Sequence, residues 1–283
     1  MNKVIVVAGA TASGKSKFAV EIALKFKSAV VINADSLQVY QEVPILTAQP
    51  TVDDMCGVPH EMYGFVSHGN SMNAYIWASR AASEIQRALD SEIQPIVVGG
   101  SGMYINALIY GFSKMPKIDD NIRREAVRMG SEEYEKMCKI VYENDPNVLK
   151  IIAPENHRQM SRAYEILVQT GRSIIFYLNQ PREKFLKNVD FQTHIIDIER
   201  SELYERINQR FRVMVEKGAI DEVRNLINIT GKDLEYPAFQ AIGVREIMMY
   251  LDGKINYDAM IDLATQKSRN YAKRQITWFK KYR

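Results

Sequence analysis

The chain has 283 residues, 46% of them hydrophobic and 25% charged, with 37 Lys and Arg against 34 Asp and Glu. Such a balance excludes a disordered or fibrous chain, and no apolar stretch approaches the ~18 residues that cross a bilayer. Cys56 and Cys138 stand at no metal-ligand spacing, which excludes a disulfide framework and a zinc site and fits a reduced, cytoplasmic protein. The chain is expected to be soluble, unprocessed and free of the membrane, with a monomer as the default.

Residues 4–8 read as a short buried strand, and Gly9-Ala10-Thr11-Ala12-Ser13-Gly14-Lys15-Ser16 follows it into a helix whose inner face draws on Phe18, Ala19, Ile22, Ala23 and Phe26. The two glycines let backbone N–H groups turn inward around phosphate oxygens, the helix dipole adds positive potential, Lys15 neutralises an oxygen, and the Ser16 hydroxyl suits Mg²⁺. A glycine-rich turn that binds nothing lacks the full Gly-Lys-Ser ending.

Further strand-like runs lie at 29–32, 96–98 and 194–198, separated by helical pattern, which predicts βα units around a parallel sheet. Between 113 and 188 strands vanish, and helices are predicted over 122–129, 132–142 and 157–169. After the last strand, helices are predicted over 202–217, 219–228 and 238–251, with a long final one from residue 257. The expected fold class is α/β: a core from 1–112 and 189–283, and a helical insertion over 113–188.

Asp35 closes the second strand at the carboxyl edge of the sheet, beside the phosphate loop. Three readings stay open for it: a cap on the following turn, a Mg²⁺ holder through water, or a general base. The third strand runs into Gly99-Gly100-Ser101-Gly102, which allows either close approach to a substrate or a tight turn. Arg206 and Arg210, four apart on one helix face, either clamp a diphosphate or pair with Glu202 and Glu205 in solvent. His60 and His157 have no partner at catalytic spacing. From 264 onward the chain carries Lys267, Arg269, Lys273, Arg274, Lys280, Lys281 and Arg283 with no acid, which fits either a polyanionic partner or a solvated face.

Taken in order, the loop, A-D-S-L-Q-V-Y at 34–40, T-A-Q-P at 47–50, V-P-H at 58–60, V-G-G-S-G-M-Y at 98–104, A-I-G-V-R-E at 241–246 and A-K-R-Q-I-T-W-F at 272–279 resemble the tRNA dimethylallyltransferase family over nearly the whole chain. The resemblance implies a P-loop NTPase-like core with a helical insertion contacting tRNA and a helical tRNA-binding C-terminal part. It implies transfer of a dimethylallyl group from dimethylallyl diphosphate, with Mg²⁺, to N6 of the adenosine 3′ of the anticodon in tRNAs reading U-starting codons.

By that resemblance, Gly9, Ala10, Thr11, Ala12, Ser13, Gly14, Lys15 and Ser16 hold the diphosphate, with Ser16 toward the metal. Asp35 is the general base, and Lys15, Thr11 and Arg210 complete the catalytic set. The tRNA anticodon stem-loop is met by Asp35, Ser36, Leu37 and Gln38, by Ser101 and Arg123, by Arg158, Gln159, Met160, Ser161 and Arg162, and by Gln240, Ala241, Ile242, Gly243, Val244 and Arg245. Tyr104 is a candidate to stack the target base, and Lys267, Arg274 and Lys281, seven apart beside Tyr271 and Trp278, a stripe for phosphates. The chain departs from the family at Ser16 and Ser101, where Thr is usual, at Gln49, where Lys is common, and near Gln159, where Arg158 takes over an arginine's contact. Any C-terminal extension of the family is expected to be absent. An ATP-using small-molecule kinase and a noncatalytic RNA-binding regulator are the rival readings.

Overall fold

The structure, a computed structural model, describes residues 2–282. In chain order the first elements are β1 (Asn2–Gly9), α1 (Lys15–Ala23), β2 (Ala29–Asn33), the one-turn helices α2 (Pro44–Thr47) and α3 (Val52–Met55), β3 (His60–Glu61), α4 (Ala74–Asp90), β4 (Gln94–Gly99) and α5 (Gly102–Tyr110). There follow β5 (Phe112–Ser113), α6 (Asp120–Glu132), α7 (Tyr134–Asn144), α8 (His157–Thr170), α9 (Ile174–Leu178) and β6 (Arg182–Glu183). The chain ends through β7 (Val189–Ile196), α10 (Arg200–Glu216), α11 (Ala219–Thr230), α12 (Val244–Leu251) and α13 (Tyr257–Phe279).

Five strands form one parallel sheet in the order β3-β2-β4-β1-β7. β1, β2 and β4 read as unbroken apolar runs because helices cover both faces of a parallel sheet, and Val4, Val6, Val7, Ile32, Ile96 and Val97 are accordingly buried. The edge strand β7 differs. Its Asp190 and Gln192 interrupt the apolar run, so the sequence predicts only 194–198, whereas pairing with β1 runs from Val189 opposite Asn2 to Ile196 opposite Gly9.

Trp77 of α4 anchors the sheet next to the site. It is fully buried, its indole N–H donates to the carbonyl of Asn33 at 2.9 Å, and its ring stacks on Tyr104 at 4.7 Å between centroids. Truncating a buried Trp of this kind costs about 3–5 kcal/mol. Tyr104 is thereby committed to the core, with 5% exposure, and is not available to stack a nucleobase as the sequence suggested.

The helix predicted over 238–251 is broken. A 3₁₀ turn at Pro237–Gln240 gives way to Gly243 at φ 105°, and α12 begins at Val244. That φ favours glycine, and a Cβ there would lie 2.7 Å from both Leu46 and Phe211. On α1, Phe26 falls beyond the helix end and is 41% exposed, while Ala19, Val20 and Ala23 face the sheet.

The chain divides into two compact units, one comprising residues up to Ile109 and from Phe185 onward, the other Tyr110–Lys184. Both joins fall a few residues before those expected at 112/113 and 188/189. In the smaller unit α6, α7 and α8 pack around Met129, Met137, Met160 and Ile166, and β5 pairs antiparallel with β6. His157 stacks on Tyr134 with centroids 3.7 Å apart, a structural role.

Candidate active site

The loops that leave β1, β2 and β4 emerge at the carboxyl edge of the sheet, where open α/β sheets bind ligands. In the first, Ala12 takes φ 61° and Gly14 φ 90° immediately before α1. A left-handed alanine costs about 1–3 kcal/mol, a strain that local structure must over-determine. The Ser13 hydroxyl is buried without a hydrogen-bond partner among the described residues, an orphan of the kind that a bound ligand oxygen would satisfy.

Lys15 donates from Nζ to the carbonyl of Ala10 at 3.3 Å. Burial pulls its pKa down to about 8; the charge of Asp35 opposes that fall and the charge of Arg210 adds to it. Lys15, Asp35 and Arg210 therefore share one electrostatic environment. Arg210, itself lowered by burial and partly restored by Asp35, donates from Nη2 to Thr11 Oγ1 at 2.9 Å. Arg206, one turn earlier, pairs with Glu202 at 2.5 Å and lies beside Gly14 at the edge of the same loop. Pairing with Glu202 is thus found at Arg206, whereas Arg210 is held against Thr11.

A diphosphate at this loop supplies anionic charge that favours ammonium over amine at Lys15, so the Lys15 pKa rises on binding. Diphosphate affinity is then expected to be flat below pH 8 and to fall by about tenfold per pH unit above it, until the bound-state pKa is reached. Calorimetric titration with inorganic pyrophosphate across that range, with a Lys15→Arg variant that holds its charge, checks the slope.

Asp35 proves to be both a cap and a presented carboxylate. Its Oδ1 accepts the N–H of Leu37 at 3.0 Å, while its own N–H donates to Asn33 Oδ1 at 2.9 Å. Oδ2 has no donor among the described residues, and the carboxylate lines a slot of about 60 Å³ with Thr11, Arg210 and the apolar Leu37, Leu46, Phe211 and Ile242. On the other side of the loop a wider cavity of about 600 Å³ is lined by Gly14, Lys15, Ser16, Arg206 and Arg210. Arg210 borders both.

The other predicted residues fall into three settings. Ser101 is buried, its hydroxyl accepting the Ser36 N–H at 2.8 Å and meeting Ser36 Oγ at 3.1 Å, and Gln38 donates to the carbonyls of Thr47 and Ala48 at 2.9 and 2.8 Å. Gln240 and Arg245 are exposed, Ala241 and Ile242 line the slot, and Gly243 and Val244 are buried. Arg123, Arg158, Gln159, Met160, Ser161 and Arg162 belong to the smaller unit. There Arg123, Arg158 and Gln159 are exposed, Arg162 pairs with Glu165 at 2.7 Å, and Met160 is fully buried, so its side chain serves the core. On α13, Lys267 pairs with the buried Glu246 and is withdrawn from the predicted basic stripe, while Lys281 lies over the Trp278 ring at 4.1 Å and Arg274 over Tyr271 at 5.6 Å.

Two further residues support the site; Glu222 has no local sequence signal, whereas Glu246 stands three residues after Gly243, at capping-box spacing. Glu222 accepts the N–H groups of Ile45 and Leu46 at 2.6 and 2.9 Å, which holds α2 and hence Leu46 against the slot; burial pushes its carboxyl up. Glu246 accepts the Gly243 N–H at 3.0 Å and fixes the turn that carries Ile242.

Among the described residues no group of three or more His, Cys, Asp or Glu could hold a metal by itself. Mg²⁺ is bound elsewhere through one or two protein oxygens with substrate phosphates and water, and the exposed Ser16 hydroxyl on the wide cavity meets that requirement. Among the described residues, no helix is long and apolar enough to cross a membrane.

Residues 38–282 match the model of a family described as IPP transferase. A tRNA dimethylallyltransferase of Ehrlichia chaffeensis is 41% identical over 285 residues, covering 99% of this chain and 91% of that protein. Among solved structures, the tRNA isopentenylpyrophosphate transferase of Bacillus halodurans is 33% identical with a TM-score of 0.68, covering 99% of this chain and 87% of the other. A eukaryotic dimethylallyltransferase captured acting on tRNA is 27% identical with a TM-score of 0.81, covering 99% of this chain and 70% of the other.

Proposed function

This chain belongs to the IPP transferase family and transfers a prenyl group to tRNA, and we propose that it takes that group from dimethylallyl diphosphate and places it on N6 of the adenosine 3′ of the anticodon. The observation that carries the reading is the meeting at one loop of Arg210, Thr11, Lys15 and Asp35, between a narrow slot that holds the Asp35 carboxylate and a wider cavity that holds Lys15 and Ser16.

The leaving diphosphate lies in the loop of residues 9–16. The N–H groups at the start of α1, the Ser13 hydroxyl, the Lys15 ammonium and the Arg210 guanidinium stabilise the charge that grows on its bridging oxygen as the allylic C1–O bond breaks. Mg²⁺, held by the Ser16 hydroxyl and the diphosphate itself, supplies further charge neutralisation when bound. The five-carbon tail faces Leu46, Phe211 and Ile242, which exclude water that would otherwise capture the allylic cation.

Adenine N6 enters from the slot, forms the new N–C1 bond, and gives its proton to Asp35 Oδ2. The cap from Leu37 to Oδ1 aims that oxygen. Because the N6 lone pair is delocalised into the ring, removal of the proton during attack contributes about 10²–10⁴-fold.

The direct test is incubation with Mg²⁺, dimethylallyl diphosphate and unmodified tRNA, followed by nucleoside mass analysis. A gain of one dimethylallyl group on the adenosine 3′ of the anticodon is expected. A prenylated nucleoside at any other position refutes the site assignment, and phosphoryl transfer from ATP without prenylation refutes the donor.

A further inference from the structure

Gln275 of α13 stands where the loops after β1 and β4 meet that helix, and it is 4% exposed. Its side-chain carbonyl accepts the N–H of Thr11 at 2.8 Å, and its NH₂ donates to the carbonyl of Gly100 at 2.9 Å. One partner is a donor and the other an acceptor, so only an amide serves both. A carboxylate keeps the first bond and loses the second; a thioether of the same length makes neither.

The glycines after β4 follow from this contact. A Cβ on Gly100 would lie 2.2 Å from Gln275 Nε2, and one on Gly99 would lie 2.1 Å from the carbonyl oxygen of Ala34. At Gly99-Gly100 the close approach is made by the protein's own amide and backbone rather than by a substrate. Thr11 is consequently held from two sides, its N–H by Gln275 and its hydroxyl by Arg210.

We propose that Gln275 is a positioning residue for the diphosphate loop: by pinning Thr11 against the end of β4 it sets the loop's shape and, through the Thr11 hydroxyl, the direction of the Arg210 guanidinium. This rests on the reading of residues 9–16 as the diphosphate cradle. A loop already held in its binding shape spends none of the ligand's binding energy on ordering, so removal of the pin is felt in affinity for the diphosphate and not in affinity for tRNA.

The test compares wild type, Gln275→Met, Gln275→Glu and Lys15→Ala. Calorimetry with inorganic pyrophosphate and Mg²⁺, without tRNA, is combined with steady-state KM values for both substrates and circular dichroism to verify folding. Gln275→Met is expected to weaken pyrophosphate binding and raise the KM for prenyl diphosphate by about tenfold each, because a buried N–H and carbonyl lose their partners. KM for tRNA stays unchanged, and Gln275→Glu falls between wild type and Gln275→Met. A folded Gln275→Met variant with wild-type pyrophosphate affinity overturns the proposal, as does an equal rise in both KM values, which marks a general structural role. If Gln275→Met does not fold, Gln275→Glu decides by the same two criteria. Wild type that binds no pyrophosphate, indistinguishable from Lys15→Ala, brings down the cradle reading and this proposal together; loss in Lys15→Ala with full retention in Gln275→Met brings down this proposal alone.

Discussion

Replacing Lys15 by Met is expected to lower kcat/KM for prenyl diphosphate by about 10²–10³-fold, the scale on which removal of one preorganised donor acts on developing negative charge. Methionine keeps most of the lysine stem's volume, so the loss isolates charge from packing. The effect is concentrated where it is because Lys15 is partly desolvated: burial has already drawn its pKa to about 8, so the ammonium meets a diphosphate in a medium that screens it poorly. Folding itself does not oppose the change, since a buried ammonium is a cost that methionine removes. Single-turnover prenylation with saturating tRNA, read against the concentration of prenyl diphosphate, measures the loss. A variant within a few-fold of wild type removes Lys15 from the diphosphate site.

The parts of this site that were legible in the sequence are those whose chemistry is local. Gly9 to Ser16 carries its own spacing and its own strand and helix, and Asp35 follows directly from the end of β2. By spacing alone Arg210 was one of two arginines on a helix face, and only the family resemblance singled it out. Which of the pair meets the loop's side chains depends on Thr11, almost two hundred residues away, and on Glu202 one turn before Arg206. Gln275 and Glu222 act through bonds to backbone groups distant in the chain, and no periodicity announces such a bond, while the capping box of Gly243 and Glu246 was hidden inside what read as one continuous helix. The same limit explains Tyr104, whose position after a glycine-rich turn suggested a role toward substrate while its ring was already committed to Trp77. Lys267 likewise shares a stripe with Arg274 and Lys281 by spacing, yet Glu246 claims it. The helix read over 238–251 failed at Gly243, where the backbone turns to present Ile242 to the slot. Misreadings thus gather where tertiary contacts overrule a local pattern that is itself sound.

Asp35→Asn is expected to lower kcat by about 10²–10⁴-fold while leaving tRNA affinity unchanged. Asparagine retains an oxygen able to accept the Leu37 N–H, so the Asx turn that now uses Oδ1 survives, and the neighbouring bonds from Asn33 to the carbonyls of Asp35 and Met62 are untouched. What disappears is the basic oxygen. An amide cannot take a proton from adenine N6, and attack must then proceed through a cationic adduct that loses its proton to water. The change also removes the carboxylate charge that opposes the desolvation of Lys15 and Arg210, so the pH at which pyrophosphate binding begins to weaken is expected to move below 8 in this variant. Two readouts therefore separate the roles: the rate reports the proton transfer, and the pH profile of pyrophosphate binding reports the field. If the rate stays near wild type while that profile shifts, Asp35 is an electrostatic partner of the diphosphate site and the proton leaves by another path.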